Sequence, residues 1–121
     1  MGAGRRARRI EKPVLYVLGN HEFYGNSIDG VADELERLCA GTQVQVLDDT
    51  EVVIGPMRFL GSTLWTDFEL FGEAEKKAAA MSEARRLIRD FSRAARAEAS
   101  DALFSPADSA TLFGTRVSIR I

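Results

Sequence analysis

The chain has 121 residues, of which 45% are hydrophobic and 28% are charged, and its formal net charge at pH 7 is −2. This length suits one domain, and this composition excludes an intrinsically disordered chain. The near-neutral charge disfavours nucleic acid as the partner, and no apolar run is long enough to span a membrane. A single cysteine excludes a disulfide within the chain. We therefore expect a cytoplasmic protein.

Two tracts are locally basic although the whole chain is not. They are Arg5–Arg9, in a leader (1–12) that we expect to be poorly ordered, and Glu83–Glu98. Short basic tracts can bind the phosphates of nucleic acid, and that hypothesis predicts steeply salt-dependent binding. Charge patterning instead favours solvated surface for both tracts.

The first predicted element is a strand, Pro13–Leu18, because these six residues form a continuous apolar run. Such a run is typical of a strand buried on both faces, as in a parallel sheet. A loop follows, and Asn26 or Ser27 is predicted to cap a helix that Gly41 ends. The helix carries one apolar stripe, made of Ile28, Val31, Ala32, Leu35, Leu38 and Cys39.

Short strands are predicted next at Gln43–Leu47, Glu51–Ile54 and Met57–Ser62, separated by turn sequences. The order strand, loop, helix and strands predicts an α/β fold. An irregular aromatic-rich segment, Thr63–Gly72, then leads into a long predicted helix, Glu73–Ser100.

The last predicted helix begins at Ser105–Asp108, where a serine cap precedes a proline and an acid in the first turn. We expect this helix to have barely begun when GTRVSIRI closes the sequence. Nothing before Pro13 supplies a neighbour for a parallel strand. We therefore expect one partial domain, with a core (13–72) and a truncated helical segment (73–121).

The only histidine lies directly after the first strand, in the sequence Gly19, Asn20, His21 and Glu22. Loops at the carboxyl ends of strands bind ligands in open α/β sheets. The glycine allows a sharp turn, and the asparagine offers a neutral oxygen ligand or an amide donor. The histidine suits metal, acid–base or phosphate chemistry, and the glutamate can orient a neighbour. Although a lone loop histidine is often only surface polarity, this context indicates a hydrolytic metal site whose other ligands must come from elsewhere.

The stretch YVLGNHEFYG, Tyr16–Gly25, resembles the third signature block of the calcineurin-like metallophosphoesterases. The stretch MRFLGSTLWTDF, Met57–Phe68, is similar to the strand and loop that follow in bacterial members of unassigned substrate. The resemblance implies an α/β sandwich, hydrolysis of phosphate monoesters or diesters, and two divalent metal ions such as Mn, Fe or Zn. It implies that Asn20 binds one metal and that His21 approaches the substrate phosphate. Glu22 would be a supporting residue.

Other signature blocks of that family have no counterpart in this chain. Nothing before Pro13 matches Asp-x-His or Gly-Asp, and Gly-His-x-His cannot occur because the chain has one histidine. We therefore expect a fragment, or the product of a frameshifted gene, that has no activity alone. The alternative is a catalytically inactive remnant that serves as an interaction module.

Three more residues are candidates for a substrate pocket. Tyr24 either lines the pocket or packs under the loop, and Trp65 either borders the site or belongs to the core. For Asp67, a cap or a surface acid is favoured over a ligand. Cys39 is expected to be an inert buried thiol.

Overall fold

The computed structural model describes residues 11–98 and 100–117, with side chains as far as residue 114. The basic tract Arg5–Arg9 and most of the predicted leader lie outside the described residues. Within these ranges helices and short strands are mixed, which confirms the predicted α/β character. No helix in the described ranges is both long enough and apolar enough to cross a membrane.

The elements follow the predicted order. The strands are β1 (Val14–Val17), β2 (Val44–Leu47), β3 (Thr50–Ile54) and β4 (Met57–Gly61). The helices are α1 (Gly30–Cys39), α2 (Ala74–Leu87), α3 (Asp90–Arg93), α4 (Pro106–Val117) and a one-turn 3₁₀ helix (Asn20–Phe23). Each strand lies within one residue of its predicted bounds.

Two small sheets form the β structure of the described residues. Strands β1 and β2 pair in parallel, with Val14 opposite Val44, as predicted. The expected burial of β1 on both faces is wrong, because Val14, Leu15 and Tyr16 are only partly buried and Val17 is 42% exposed. Helix α1 crosses between them and packs against β2. Strands β3 and β4 form an antiparallel hairpin, with Thr50 opposite Gly61. This arrangement places the loop after β1 at the carboxyl edge of the parallel pair.

Helix α1 begins later than predicted, and its apolar stripe is only partly covered. Its first residue is Gly30, and Asp29 occupies the N-cap position without a side-chain cap bond. The Ser27 hydroxyl accepts a hydrogen bond from the Gly30 amide at 3.0 Å, so the predicted residue Ser27 contacts the first turn from two positions before the N-cap. Ala32 is buried, whereas Leu38 is 65% exposed and Cys39 is half-buried. Burial falls toward the carboxyl end of the helix, so the expectation of a fully buried thiol is wrong.

The predicted helix Glu73–Ser100 is interrupted. Helix α2 ends at Leu87, Ile88 has extended backbone (φ −93°, ψ 121°), and α3 is a single turn. Beyond α3, Ala95 makes isolated β-bridges to Ser27 and to Leu103. The segment from 73 onward is therefore helical only in part.

Three residues that follow the break are buried, namely Asp90, Phe91 and Ala94. Asp90 and Phe91 are consecutive within α3, so their side chains point about 100° apart. Asp90 contacts the loop after β1, and Phe91 lies in the core.

Aromatic rings join the elements in the centre of the molecule. Trp65 has ring centroids 5.7 Å from Phe23 and 4.7 Å from Phe104, and Phe104 lies 5.7 Å from Phe91. The Ser105 hydroxyl accepts a hydrogen bond from the Asp108 amide at 3.2 Å, which confirms the predicted helix start. Helix α4 then runs to Val117, so the expectation that it barely begins is wrong.

We predict opposite stability effects for the same substitution at two glycines. A Cβ at Gly61 would lie 2.2 Å from the Leu47 Cβ, because β4 packs directly against β2. Gly61→Ala should lower the free energy of unfolding by about 1–3 kcal/mol through overpacking. Gly114 in α4 has open space, so Gly114→Ala should raise it by about 0.5–1 kcal/mol. Urea unfolding measures both changes, and effects of the same sign would contradict the described packing.

Candidate functional site

The loop after β1 is anchored at both ends and exposed between its anchors. Leu18 is 2% exposed, and its carbonyl accepts a hydrogen bond from the Thr63 hydroxyl at 2.8 Å. Phe23 is 1% exposed and closes the 3₁₀ turn. Asn20 and His21 lie between these anchors and are exposed. The core therefore holds the loop so that its two chemically active side chains face solvent.

Gly19 is not needed for a sharp turn, which differs from our expectation. Its backbone is extended, with φ −89° and ψ 172°, a conformation open to any residue. A Cβ at this position would lie 3.0 Å from Oε2 of Glu22. The other oxygen of that carboxylate accepts a hydrogen bond from the Tyr16 hydroxyl at 3.2 Å. Gly19 thus leaves room for Glu22, which ties the loop back to β1.

A carboxylate that our sequence interpretation did not single out lies under the loop. Asp90 accepts two hydrogen bonds from the Asn20 amide nitrogen, at 2.9 and 3.1 Å, and a third from the Tyr24 hydroxyl. Asp90 is 8% exposed, and these three bonds offset the cost of burying its charge. In the sequence, Asp90 is only an acid that lies close to Ile88 and Phe91, two positions of the predicted apolar face.

Positive charges lie beside this buried carboxylate. The hydrogen bond to Asp90 is the largest cause that raises the pKa of Tyr24 above its ordinary value, followed by burial and the charge of Asp90. The charges of Arg89 and Arg93 oppose that rise in pKa. His21 packs on Tyr24, with ring centroids 4.8 Å apart. The carboxylate of Asp90 and the imidazole of His21 therefore both contact Tyr24.

The described residues do not fit the two-metal centre that the resemblance implies. No group of three or more His, Cys, Asp and Glu side chains that could hold a metal ion occurs among them. Asn20 directs its amide nitrogen at Asp90, so this pair supplies at most one carboxylate and one amide oxygen. A metal centre needs more ligands than these. We assign no reaction step in this chain to a metal ion.

Two of the other candidate pocket residues lie away from the cleft beside the loop. This cleft has a volume of about 500 Å³, and Asn20, Asp90 and Trp65 line it. Tyr24 packs under the loop instead of lining the cleft. Asp67 also lies outside the lining, and its carboxylate accepts a hydrogen bond from the Glu69 amide at 3.0 Å, as in an Asx turn.

No protein-family model, curated protein or solved structure matches the chain. The resemblance to the metallophosphoesterases thus depends on the motif residues alone and stays a prediction. The geometry itself offers an exposed imidazole and amide on an anchored loop, and the exposed residues Arg89 and Arg93 lie close to Asp90 in the sequence. This combination suits the recognition of an oxyanion.

We predict that Asn20→Asp destabilises the protein in a pH-dependent way. The substitution replaces the amide donor with a second carboxylate facing Asp90, so two hydrogen bonds become a like-charge contact. The free energy of unfolding should fall by about 1–3 kcal/mol at pH 7. The loss should shrink as the pH is lowered, because a proton shared by the two carboxyls restores a hydrogen bond. Urea unfolding at several pH values measures this, and a loss independent of pH would contradict the contact.

We predict that Asp90→Asn lowers the pKa of Tyr24. The experiment uses a Tyr16→Phe background, in which Tyr24 is the only remaining tyrosine. In the folded state the phenol of Tyr24 holds its proton more tightly than in the unfolded state. The stability that this raised pKa contributes is therefore complete below about pH 10, and it disappears as the pH rises through the folded-state pKa. Phenolate absorbance during an alkaline titration gives the midpoint. Asp67→Asn should leave it unchanged, and an equal shift in that control would count against a specific contact.

Proposed function

We propose that the loop Gly19–Phe23 is the phosphate-binding element of a metallophosphoesterase-type site, and that this chain alone binds phosphate esters without hydrolysing them. One observation carries the proposal. An exposed Asn20–His21 pair is held on an anchored loop at the carboxyl end of a parallel strand, over a buried carboxylate that fixes the asparagine. The Gly-Asn-His-Glu motif, its place at the end of β1 and the anchored loop all support a phosphate ester as the ligand.

His21 is the residue that contacts the phosphoryl group. Its imidazole N–H donates a hydrogen bond to a phosphoryl oxygen and so offsets part of the negative charge there. The packing of the ring on Tyr24 restricts its orientation before the ligand arrives. A restricted donor loses less conformational entropy on binding than a free surface histidine does.

Asp90 positions this loop and does not contact the phosphoryl group. The three hydrogen bonds that its carboxylate accepts come from the protein, two from the Asn20 amide nitrogen and one from the Tyr24 hydroxyl. These bonds fix the Asn20 side chain, which leaves the amide oxygen directed away from Asp90. The nearby Arg89 and Arg93 reduce the repulsion that a buried carboxylate would otherwise exert on a phosphate.

The donor groups of the described residues support binding without hydrolysis. Attack on a phosphate ester needs an activated water and stabilisation of the developing charge, which phosphoesterases of this type obtain from metal ions. The described residues hold no group of three metal-binding side chains, and the sequence contains one histidine. The carboxylates of Glu22 and Asp90 are already engaged by protein hydroxyls.

We predict that inorganic phosphate binds at His21. Because the chain has one histidine, the imidazole gives a single set of NMR signals, and these should shift and saturate as phosphate is added at low ionic strength. His21→Gln should weaken binding by about tenfold or more, the effect of losing a charge-assisted contact. Lys12→Gln removes a cation at the opposite end of β1 and should leave the affinity unchanged. The absence of any saturable shift would overturn the proposal and leave the interaction module as the remaining hypothesis.

A second measurement tests the absence of turnover. With Mn²⁺, the purified chain should hydrolyse neither p-nitrophenyl phosphate nor its bis ester above the rate of the metal alone. Metal-dependent hydrolysis that disappears in His21→Ala would show that the chain is itself an enzyme. That result would overturn the non-hydrolytic part of the proposal while supporting the role of His21.

A further inference from the structure

The cleft beside the loop has both polar and apolar side chains in its lining. Asn20 and Asp90 line this volume of about 500 Å³, together with four hydroxyl-bearing residues, Ser62, Thr63, Thr66 and Ser109. The apolar side chains along it are Leu18, Leu64, Trp65, Ile88 and Phe91. Small-molecule sites in proteins have this size and combine apolar side chains with polar groups.

We infer that this cleft holds the organic group of a phosphate ester and selects apolar, ring-sized groups over polar ones. The inference rests on the proposed function, since the phosphate at His21 would place the ester oxygen at the Asn20 end of the cleft. The loop and the cleft then form one site, because Asn20 belongs to both.

Three of the four hydroxyl groups that line the cleft donate to protein acceptors. Ser62 donates to an Asp49 carboxylate oxygen at 2.7 Å, and Thr63 donates to the Leu18 carbonyl at 2.8 Å. Ser109 donates to the Thr66 carbonyl at 2.8 Å and is fully buried. A polar ligand group, such as a sugar, would have to compete with these bonds. The wall therefore favours apolar groups although several of its residues are polar by type.

Exposed apolar side chains mark the mouth of the cleft. Leu64 is 79% exposed and Ile88 is 44% exposed, and both line the cleft. A ligand ring between Leu64 and Ile88 would cover their apolar surface and remove it from water. This gives the cleft a source of affinity for the organic group that is independent of the phosphate.

The indole of Trp65 lies in the wall of the cleft. Trp65 is 7% exposed and lines the cleft. A ring bound there would therefore change the surroundings of the only indole in the chain.

The test compares three ligands of similar charge. They are inorganic phosphate, glycerol 3-phosphate with a polar organic group, and cyclohexyl phosphate with an apolar ring that does not absorb in the range of indole. His21 signals report the phosphate, and fluorescence of the only tryptophan reports the cleft. Cyclohexyl phosphate should bind at least about tenfold more tightly than the other two, and it alone should change the Trp65 emission.

Matched variants locate the effect. Leu64→Ser should weaken cyclohexyl phosphate by about three- to tenfold and leave inorganic phosphate unchanged. Leu70 is 88% exposed and lies outside the cleft lining, so Leu70→Ser should change neither affinity. Neither variant touches the buried core.

The outcomes separate this inference from the proposed function. Equal affinities for the three ligands, with His21 shifted and Trp65 emission constant, would overturn the apolar selectivity and leave phosphate binding in place. No shift of His21 with any ligand would overturn both. A response of Trp65 to cyclohexanol, without any phosphate effect at His21, would assign the cleft to another ligand class and also overturn both.

Discussion

The carboxylate of Asp90 is the constraint on which the site depends. A buried charge is costly unless it is paired or fully hydrogen-bonded, and here Asn20 and Tyr24 supply the three bonds. The hydrogen bonds of one buried carboxylate therefore orient the asparagine and join α3 to the loop.

The loop after β1 has buried anchor residues at its ends and exposed residues between them, so the core holds the exposed side chains in position. Leu18 and Phe23 are buried, and the residues between them are exposed. Since Phe23 packs against Trp65, the ring that closes the loop also contacts the wall of the cleft. The aromatic core thus holds Phe23 in place, and His21 lies only two residues before this anchor.

The sequence predicted those features that depend on local pattern. The strands, the crossover helix, the serine cap of α4 and the exposed Asn-His pair all follow from apolar runs, turn residues and capping chemistry within a few positions. The uncovered end of α1 and the break at Ile88 depend on what packs against a helix, which periodicity does not report. The role of Asp90 was not predicted, because its partner Asn20 is 70 residues away in the sequence. The roles of Trp65 and Tyr24 were alternatives that only contact geometry distinguishes.

That separation of 70 residues between Asn20 and Asp90 also couples the site to the whole fold. A contact between such distant positions can form only after the intervening chain has closed, so the loop gains its oriented amide late in folding. A ligand that prefers the oriented loop binds the docked state of α3 more tightly than the undocked state. By linkage, it must then stabilise the docking of that short helix by the same free energy. Binding of such a ligand to the loop and docking of α3 are therefore coupled, so each would favour the other.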